Sequence, residues 1–246
     1  MKRFENKTIL ITGASSGIGL AGAKRLIEEG AHVIFTGRTE SHVQAAAAEL
    51  GDHATAVLDD VSDGNTLERI MPVVERAGAL DGVWLNAAYA AGGPLEEMDQ
   101  ATLDQIFKVN VVAPMIQMGA LSPYVKDGGS VLVTSSTAAY EGAPIVSAYA
   151  ATKAAILAAA RGWASELAPR NIRVNSLVPG PITSNLRSVL PDEMRAQFEE
   201  RLAEAVLLKR VGDAHEAAAV ALFLLSDEAS YVTGSSYTVD GGLIMQ

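Results

Sequence analysis

Three side chains near the middle of the chain have the types and the spacing for proton transfer. Tyr149 and Lys153 lie four residues apart at the start of an alanine-rich segment, so in a helix they share one face. Ser136 stands thirteen residues before Tyr149, just after the β-branched run Ser130 to Thr134. A free tyrosine titrates at a pKa of about 10, and a close ammonium group favours the phenolate. A Tyr and Lys pair alone can arise by chance, but with Ser136 it predicts a proton donor beside a hydroxyl that orients a carbonyl oxygen.

A glycine-rich loop near the N-terminus is a candidate phosphate site. The run Thr12-Gly13-Ala14-Ser15-Ser16-Gly17-Ile18-Gly19 follows the first apolar, β-branched run and precedes residues with helical spacing. Its glycines allow a tight turn close to a pyrophosphate, while free N–H groups and the helix dipole face the negative charge. A doubly wound fold binds its dinucleotide phosphates at this first strand–helix turn. The glycine pattern by itself is a weak signal, and a plain glycine turn is the alternative.

The same loop also matches the nucleophile elbow of serine hydrolases. Gly13, Ser15 and Gly17 fit the pattern Gly-x-Ser-x-Gly, and His215 follows in the order that such enzymes require. An elbow of this kind normally follows several strands, whereas about six residues precede the first strand here. The elbow also gives Gly19 no role. A hydrolase that uses Ser15 is therefore the less favoured interpretation.

The end of the second predicted strand bears on which dinucleotide binds. An NAD site has a carboxylate about 20 residues past the glycines, where it accepts a hydrogen bond from the ribose 2′-hydroxyl. Gly37 stands 18 residues past Gly19, and Arg38 follows it. No acidic residue stands at this place, so nothing there would repel a 2′-phosphate. The planar guanidinium group of Arg38 can donate two hydrogen bonds to phosphate oxygens. The sequence predicts NADP rather than NAD, unless Arg38 is only a solvated loop charge and Glu40 reaches the ribose.

The elements that must position these residues follow from the alternation of apolar runs. Short β-branched runs alternate with longer segments of helical period, which is typical of a parallel sheet flanked by helices. We predict an α/β fold with a doubly wound, Rossmann-type, seven-stranded parallel sheet, helices on both faces and a single domain spanning residues 1–246. Asp63, Asp99 and Asp213 are predicted helix N-caps. The predicted strands are Lys7 to Thr12, His32 to Thr36, Ala54 to Leu58, Gly82 to Leu85, Ser130 to Thr134, Arg173 to Leu177 and Tyr237 to Val239.

Composition excludes several classes of function. The 19 basic and 29 acidic residues give a net charge of −10 and a pI near 4.9, which disfavours nucleic-acid binding. Without cysteine, the chain has no disulfide, no iron–sulfur cluster and no thiol nucleophile. No apolar run approaches the roughly 20 residues of a membrane span, no export signal is evident, and the four histidines lack metal-ligand spacing. We expect a cytoplasmic protein without a metal site, whose redox chemistry would come from a bound cofactor.

Further motifs follow in a fixed order along the chain. They are Asp60 after the third predicted strand, Asn86-Ala87, Asn110, Pro179-Gly180 followed by Thr183, and Val239-Asp240-Gly241-Gly242. Together with the glycine loop, Ser136 and the pair Tyr149-x-x-x-Lys153, they resemble the short-chain dehydrogenase/reductase family over essentially all 246 residues. Several independent motifs in the right order are far more specific than any one of them.

The resemblance implies an activity and a site. It implies hydride transfer between NADP(H) and a small carbonyl or alcohol substrate, with Tyr149 as general acid/base, in a homotetramer. A regulator that binds NADP without turnover is the alternative that fold analogy leaves open. The implied catalytic set is Asn110, Ser136, Tyr149 and Lys153. The implied cofactor-binding residues are Gly13, Ser15, Ser16, Gly17, Ile18, Gly19, Arg38, Asp60, Val61, Asn86, Ala87, Tyr149, Lys153, Pro179, Gly180, Ile182 and Thr183.

Asn110 gains a separate argument from Pro114, which follows four residues later within a helical pattern. Proline lacks the N–H that would bond the carbonyl at i−4, and that carbonyl belongs to Asn110. The interruption leaves a free acceptor beside the site. We infer a water held there that links Lys153 to solvent, and a kink that serves packing alone is the alternative.

Two segments bear on the fit of ligands. The family usually has Asn-Asn-Ala-Gly after its fourth strand, whereas this chain reads Leu85-Asn86-Ala87-Ala88-Tyr89. This departure adds a methyl group beside the expected cofactor path and places Tyr89 where a side chain would narrow the substrate choice. Residues 181–208 are expected to cover a modestly hydrophobic substrate. The apolar residues of that segment fit the buried stripe of a short helix equally well.

Overall fold

A seven-stranded parallel sheet lies at the centre of the computed structural model, which describes residues 2–183 and 200–245. The strands are β1 Thr8–Ile11, β2 His32–Gly37, β3 Ala54–Leu58, β4 Leu80–Leu85, β5 Val125–Thr134, β6 Arg173–Pro179 and β7 Ser236–Val239. They lie in the order β3-β2-β1-β4-β5-β6-β7, and every neighbouring pair is parallel. The order reverses between β1 and β4, as in a doubly wound sheet. The predicted fold is therefore confirmed.

Helices cover both faces of the sheet. They include α1 Gly17–Glu28, α2 Glu40–Leu50, α3 Thr66–Ala77, α4 Gln100–Phe107, α5 Ala113–Leu121, α6 Ser147–Leu167 and α7 Ala214–Leu225, and residues 200–205 are helical as well. Buried residues of α1, α2 and α7 form one apolar core with the sheet. Buried residues of α3, α5 and α6 form a second core. The two cores make the two faces of the sheet equally apolar.

Alternate side chains of each strand enter the two cores. In β1, Ile9 and Ile11 belong to the core with α1, α2 and α7, whereas Leu10 belongs to the core with α3, α5 and α6. The buried ring of Trp84 in β4 packs so closely on α1 that a Cβ on Gly22 would lie 2.3 Å from the Cζ3 atom. Because both faces of the inner strands β1, β2 and β4 are buried, these strands are nearly continuous apolar runs rather than alternating ones.

Two of the three predicted helix caps are confirmed. The Asp99 carboxylate accepts a backbone hydrogen bond at the start of α4, and Asp213 forms a capping box at the start of α7. The prediction for Asp63 is wrong, because the N-cap of α3 is Asn65. The Asp63 carboxylate instead forms an ion pair with Arg69 at 2.7 Å.

The structure also bears on the expectations about membrane spans, metal sites and the substrate cover. Among the helices that the structure describes, none has the length and apolar character needed to cross a membrane. The same part of the chain contains no group of His, Asp and Glu side chains that could hold a metal ion. The expected substrate cover at residues 181–208 includes residues 184–199, which lie outside the described ranges.

Candidate active site

The candidate residues meet at one edge of the sheet. Because the strands are parallel, their carboxyl ends share that edge, and β1, β2, β3, β4 and β5 lead there into Gly13, Arg38, Asp60, Asn86 and Ser136. The strand order reverses between β1 and β4, which opens a crevice at this position in a doubly wound sheet. The fold thus brings together residues that are more than a hundred positions apart in the sequence.

The glycine loop packs so closely on neighbouring backbone that larger side chains would clash there. Gly13 has a φ of +67°, and a Cβ there would lie 2.7 Å from the Cα of Ala87. A Cβ on Gly19 would lie 2.7 Å from the carbonyl oxygen of Gly13. The side chain of Ser16 does not cap α1, and the first turn of α1 carries no acidic residue. The N-terminus of α1 therefore offers N–H groups and positive potential, which fits the phosphates of a dinucleotide.

The amide of Asn86 joins the glycine loop to β5. Its Nδ2 donates to the carbonyl of Gly13 at 3.0 Å, and its Oδ1 accepts from the hydroxyl of Thr134 at 3.0 Å. The backbone N–H groups of Asn86 and Ala87 donate to Oγ1 of Thr12 at 3.0 and 3.1 Å. The sequence analysis missed both threonines as supports of the site. Thr12 belongs to the loop motif and could have been found, whereas no local signal marks Thr134.

The end of β2 leaves no room for an acidic side chain. A Cβ on Gly37 would lie 2.5 Å from Oγ of Ser15 and 2.7 Å from Cγ2 of Val43. Arg38, the next residue, is exposed. The Ser15 hydroxyl therefore lies against the place where an NAD site would carry its carboxylate, and the exposed Arg38 follows that place in the chain.

Lys153 is a buried cation on α6. Its side chain is almost fully enclosed, at 2 % exposure. The Nζ atom donates to the carbonyl of Thr134 at 3.0 Å and lies 5.7 Å from the centroid of the Tyr149 ring. Burial lowers the pKa of Lys153 from 10.5 to about 8. An ammonium group with this pKa exchanges protons more readily than a solvated lysine does.

The Ser136 side chain lies close enough to Tyr149 to lower the pKa of the phenol, whereas burial, the larger effect, raises that pKa above its ordinary value. The structure thus brings Ser136, Tyr149 and Lys153 together. Burial prevails in the chain alone, so the structure does not show the lowered phenol pKa that the sequence argument requires.

Asn110 lies in a π-helical turn, Lys108–Val112, between α4 and α5. Its side-chain amide fixes the backbone of Tyr89, because Oδ1 accepts the Tyr89 N–H at 2.8 Å and Nδ2 donates to the Tyr89 carbonyl at 2.8 Å. Nδ2 also donates to Oγ1 of Thr152 at 3.1 Å. The side chain therefore ties the loop after β4 to α6. The spacing of Pro114 predicts a role for the backbone carbonyl of Asn110 and gives no sign of these side-chain bonds.

A small cavity of about 10 Å³ lies between Asn110, Pro114, Thr134 and Lys153. This volume is just large enough for one water molecule, and the mostly apolar lining includes the polar residues Asn110, Thr134 and Lys153. The π-helical turn and the proline that follows it interrupt the regular α-helical hydrogen bonds beside the cavity. The interruption predicted from Pro114 thus takes the form of a π-helical turn.

Comparison with known proteins agrees with this geometry. A family model described as enoyl-(acyl carrier protein) reductase matches residues 13–244. The curated protein "Oxidoreductase asL5" of Sarocladium schorii is 37% identical over 99% of this chain and 98% of its own length. "Dehydrogenase/reductase SDR family member 4" of Sus scrofa is 36% identical over 98% of this chain and 88% of its own length. The chain belongs to the short-chain dehydrogenase/reductase family.

A solved structure in this family carries a bound cofactor. It is described as a 3-ketoacyl-(acyl-carrier-protein) reductase from Brucella melitensis complexed with NADH, and it is 30% identical to this chain. The two structures superpose with a TM-score of 0.89 over 98% of this chain and 99% of the other. As a short-chain dehydrogenase/reductase, the protein is an oxidoreductase that uses a nicotinamide cofactor and acts on a small-molecule substrate.

The hydrolase interpretation finds no support in this short-chain dehydrogenase/reductase. His215 lies in the first turn of α7, where its backbone N–H donates to Asp213 at 2.8 Å. Within residues 2–183 and 200–245, no hydrogen bond joins the side chains of Ser15 and His215. Ser15 instead packs against Gly37 at the end of β2.

The turn after β6 lies at the same carboxyl edge of the sheet. A Cβ on Gly180 would lie 2.6 Å from the Cβ of Asp240, so the closing Val-Asp-Gly-Gly motif packs directly on this turn. Ile182 forms an isolated parallel bridge with Gly212, and the Thr183 N–H donates to the Gly212 carbonyl at 2.9 Å. These contacts place Thr183 beside the carboxyl end of β6.

Proposed function

We propose that this protein is an NADP(H)-dependent carbonyl reductase or alcohol dehydrogenase. The observation that carries the proposal is the grouping of Ser136, Tyr149 and Lys153 at the carboxyl end of β5, next to the point where the strand order reverses. When bound, nicotinamide supplies or accepts the hydride. The chain must then hold the substrate oxygen and move one proton.

Tyr149 gives that proton to the carbonyl oxygen of the substrate. The Ser136 hydroxyl donates a hydrogen bond to the same oxygen and so keeps it within reach of the phenol. As negative charge builds on the oxygen, the phenol proton transfers to it, and in alcohol oxidation the phenolate takes the proton back. The positive charge of Lys153 favours the phenolate and opposes the effect of burial.

The cavity beside Asn110 supports a route by which Tyr149 regains its proton. Lys153 passes a proton towards the phenolate and recovers one through a water in the cavity that contacts the Asn110 carbonyl. A pKa of about 8 lets Lys153 release and regain a proton near neutral pH at little cost. The Asn110 side chain holds Tyr89 and Thr152 in place around this route.

The preference for NADP over NAD rests on the end of β2. Gly37 has no room for the carboxylate that would repel a 2′-phosphate, and Arg38 is exposed beside it. The Arg38 fork can bind phosphate oxygens with two hydrogen bonds, assisted by the hydroxyl of Ser15. The remaining cofactor contacts are those that the resemblance implies, with the phosphates on the glycine loop and the adenine on Asp60 and Val61.

We further propose one domain spanning residues 1–246, a homotetramer and a cytoplasmic location. Support for an interface comes from exposed apolar side chains between the end of α4 and the middle of α5, which are Phe107, Val112, Met115 and Ile116. Residues 181–208 are proposed to cover the substrate. Light scattering after size-exclusion chromatography measures the assembly, and a monomer in solution would contradict the proposed tetramer.

The assigned proton donor is tested with Tyr149→Phe. The variant should bind NADPH nearly as well as the wild type and should lose almost all carbonyl-dependent NADPH oxidation, because only the phenol proton is removed. Tyr124→Phe is the matched control, since its hydroxyl lies at the surface and contacts Glu75 at 3.4 Å. Wild-type turnover by Tyr149→Phe would refute the role of the phenol.

Cofactor choice and turnover are tested together. Oxidation of NADPH and of NADH is measured with a panel of ketones, aldehydes, quinones and acyl thioesters, and we expect NADPH to be preferred. Arg38→Ala should selectively weaken the binding of NADPH. Arg76→Ala, at an exposed position on α3, should change the binding of neither cofactor. Equal weakening of NADPH and NADH would contradict the phosphate role of Arg38. Binding of NADPH without turnover of any carbonyl would favour a regulator over an enzyme.

A further inference from the structure

The loop at the adenine end of the site lies at an outer strand of the sheet. Residues 59–63 follow β3, which is the first strand in the sheet order and has a neighbour only on its β2 side. The resemblance places Asp60 and Val61 of this loop against the adenine ring. A loop at an outer strand has few neighbouring elements to hold it, so its own side-chain contacts must fix its position.

The guanidinium group of Arg69 holds three residues of this loop at once. From the first turns of α3, Nε donates to Oδ1 of Asp59 at 2.8 Å, and Nη2 donates to the carbonyl of Asp60 at 2.9 Å. Both terminal nitrogens also donate to the carboxylate of Asp63, each at 2.7 Å. Bidentate and charge-assisted bonds of this kind fix geometry as well as adding stability.

Asp59 anchors the inner side of the same loop. Its carboxylate is fully buried, and the Oδ2 atom accepts from Thr66 Oγ1 at 2.8 Å. Thr66 Oγ1 in turn accepts from Nε2 of Gln117 on α5 at 2.9 Å. The Asp59 N–H donates to the Gly37 carbonyl at 2.9 Å. A buried carboxylate needs a charged partner, and Arg69 is the cation that bonds to it among the residues that the structure describes.

The orientation of the Asp60 carboxylate depends on the backbone of the loop. Oδ1 accepts the Ser62 N–H at 2.9 Å in a tight turn, and the carbonyl of Asp60 is held by Arg69. Within the described ranges, Oδ2 of Asp60 forms no hydrogen bond to the protein. The orientation of this oxygen therefore depends on the backbone that Arg69 holds.

We propose that Arg69 is a positioning residue for the adenosine half of the cofactor. It holds residues 59–63 so that Asp60 and Val61 meet the adenine ring, and it contacts neither the cofactor nor the substrate. This inference rests on the proposed function, because it takes the dinucleotide to lie across the carboxyl edge of the sheet. It predicts that loss of Arg69 weakens binding of the adenosine half of the cofactor and leaves binding of the nicotinamide half unchanged.

The test compares ligands that share only one half of the cofactor. Wild type and Arg69→Gln are assayed with NADPH, with reduced nicotinamide mononucleotide, and with adenosine 2′,5′-bisphosphate as a competitor of NADPH. Arg69→Gln should raise the KM for NADPH and the inhibition constant of the bisphosphate by about tenfold each, with kcat at saturating NADPH unchanged. The kcat/KM for reduced nicotinamide mononucleotide should be unchanged, because this ligand has no adenosine.

Matched variants keep the test decisive if Arg69→Gln folds poorly. Arg69→Lys retains the charge but not the planar guanidinium group. Asp63→Asn weakens only the exposed half of the contact. Both variants should therefore raise the KM for NADPH by less than Arg69→Gln does. Arg3→Gln breaks a comparable fork to Glu29, with bonds of 2.6 and 2.7 Å, and should leave all three ligands unaffected. The partial effect of Arg69→Lys would be the rescue that a positioning role requires.

Each outcome has a distinct meaning. Equal losses with NADPH and with reduced nicotinamide mononucleotide would show a general structural role and overturn the inference. An unchanged KM for NADPH in Arg69→Gln, Arg69→Lys and Asp63→Asn would overturn it too. If wild type reduces no carbonyl, the proposed turnover fails, and calorimetric titration with adenosine 2′,5′-bisphosphate still tests Arg69. Absence of bisphosphate binding to wild type would overturn the inference as well.

Discussion

Burial of the Lys153 ammonium group should make the folded protein more stable as the pH rises from 8 to 10. Its pKa is about 8 in the folded chain, against an ordinary value of 10.5. Between these values the unfolded chain binds the proton more tightly than the folded chain does. Stability rises with pH wherever the unfolded state binds more protons, so this one group should add about 2 kcal/mol to the free energy of unfolding between pH 8 and pH 10.

The assay is urea unfolding of wild type and Lys153→Met, without added cofactor, at several pH values between 7.5 and 10. Methionine keeps much of the length of the side chain but cannot titrate, so its effect on packing adds a constant at every pH. The stability of wild type relative to the variant should therefore increase by about 2 kcal/mol across this range. The control Lys24→Met removes a surface lysine that pairs with Glu49, and it should leave the rise intact.

The window ends at pH 10 because of Tyr149. Burial raises the pKa of Tyr149 above 10 in the folded chain, so its contribution to stability is lost as the pH rises further, which opposes the effect of Lys153. A difference between wild type and Lys153→Met that stays flat or falls from pH 8 to pH 10 would refute the reasoning. It would mean that Lys153 reaches solvent or a carboxylate in solution.

Three substitutions test the fold through the free energy of unfolding in urea. Ile145→Asn should raise it by about 1 kcal/mol, because Ile145 has a φ of +61°, which asparagine adopts with less strain. Gly22→Ala should lower it by about 1 to 3 kcal/mol, since the new Cβ would lie 2.3 Å from Cζ3 of Trp84. Asp213→Ala should lower it by about 1 kcal/mol through loss of the capping box on α7.

Each of these substitutions has a result that would contradict its reason. A loss of stability in Ile145→Asn would show that the isoleucine side chain contributes more than the strain costs. An unchanged stability in Gly22→Ala would show that the ring of Trp84 can move away from α1. An unchanged stability in Asp213→Ala would show that solvent replaces the cap at no cost.

The fold was predictable because both faces of the inner strands are buried, so most strands are short apolar, β-branched runs. The exception is the first half of β5, which begins at Val125, five residues before the predicted start at Ser130. Residues 126–129 are Lys, Asp, Gly and Gly, which have little tendency to form strands. The pairing of Leu80 with Val125, across a register shift in the ladder, makes this segment a strand. Such pairing depends on tertiary structure.

The site was predictable where its geometry is local. Tyr149 and Lys153 are one helical turn apart, and Ser136 follows a strand, so helix and sheet periods alone bring them to one place. The contacts that support the site depend on topology instead. The Asn110 side chain bonds to Tyr89, 21 residues away, and nothing in the intervening sequence specifies that pairing. The same holds for Asp63, whose carboxylate pairs with Arg69 instead of capping α3.

The departure from the family pattern after β4 can be understood through the same contacts. The retained Asn86 bonds to both the glycine loop and Thr134, so the first asparagine of the usual pair is not needed to join β1 to β5. Further along the loop, the Asn110 amide accepts a hydrogen bond from the Tyr89 N–H and donates one to the Tyr89 carbonyl. These two bonds fix the path of the loop at Tyr89. Because Asn110 holds the loop through the backbone of Tyr89, neither bond depends on the side chains at positions 88 and 89.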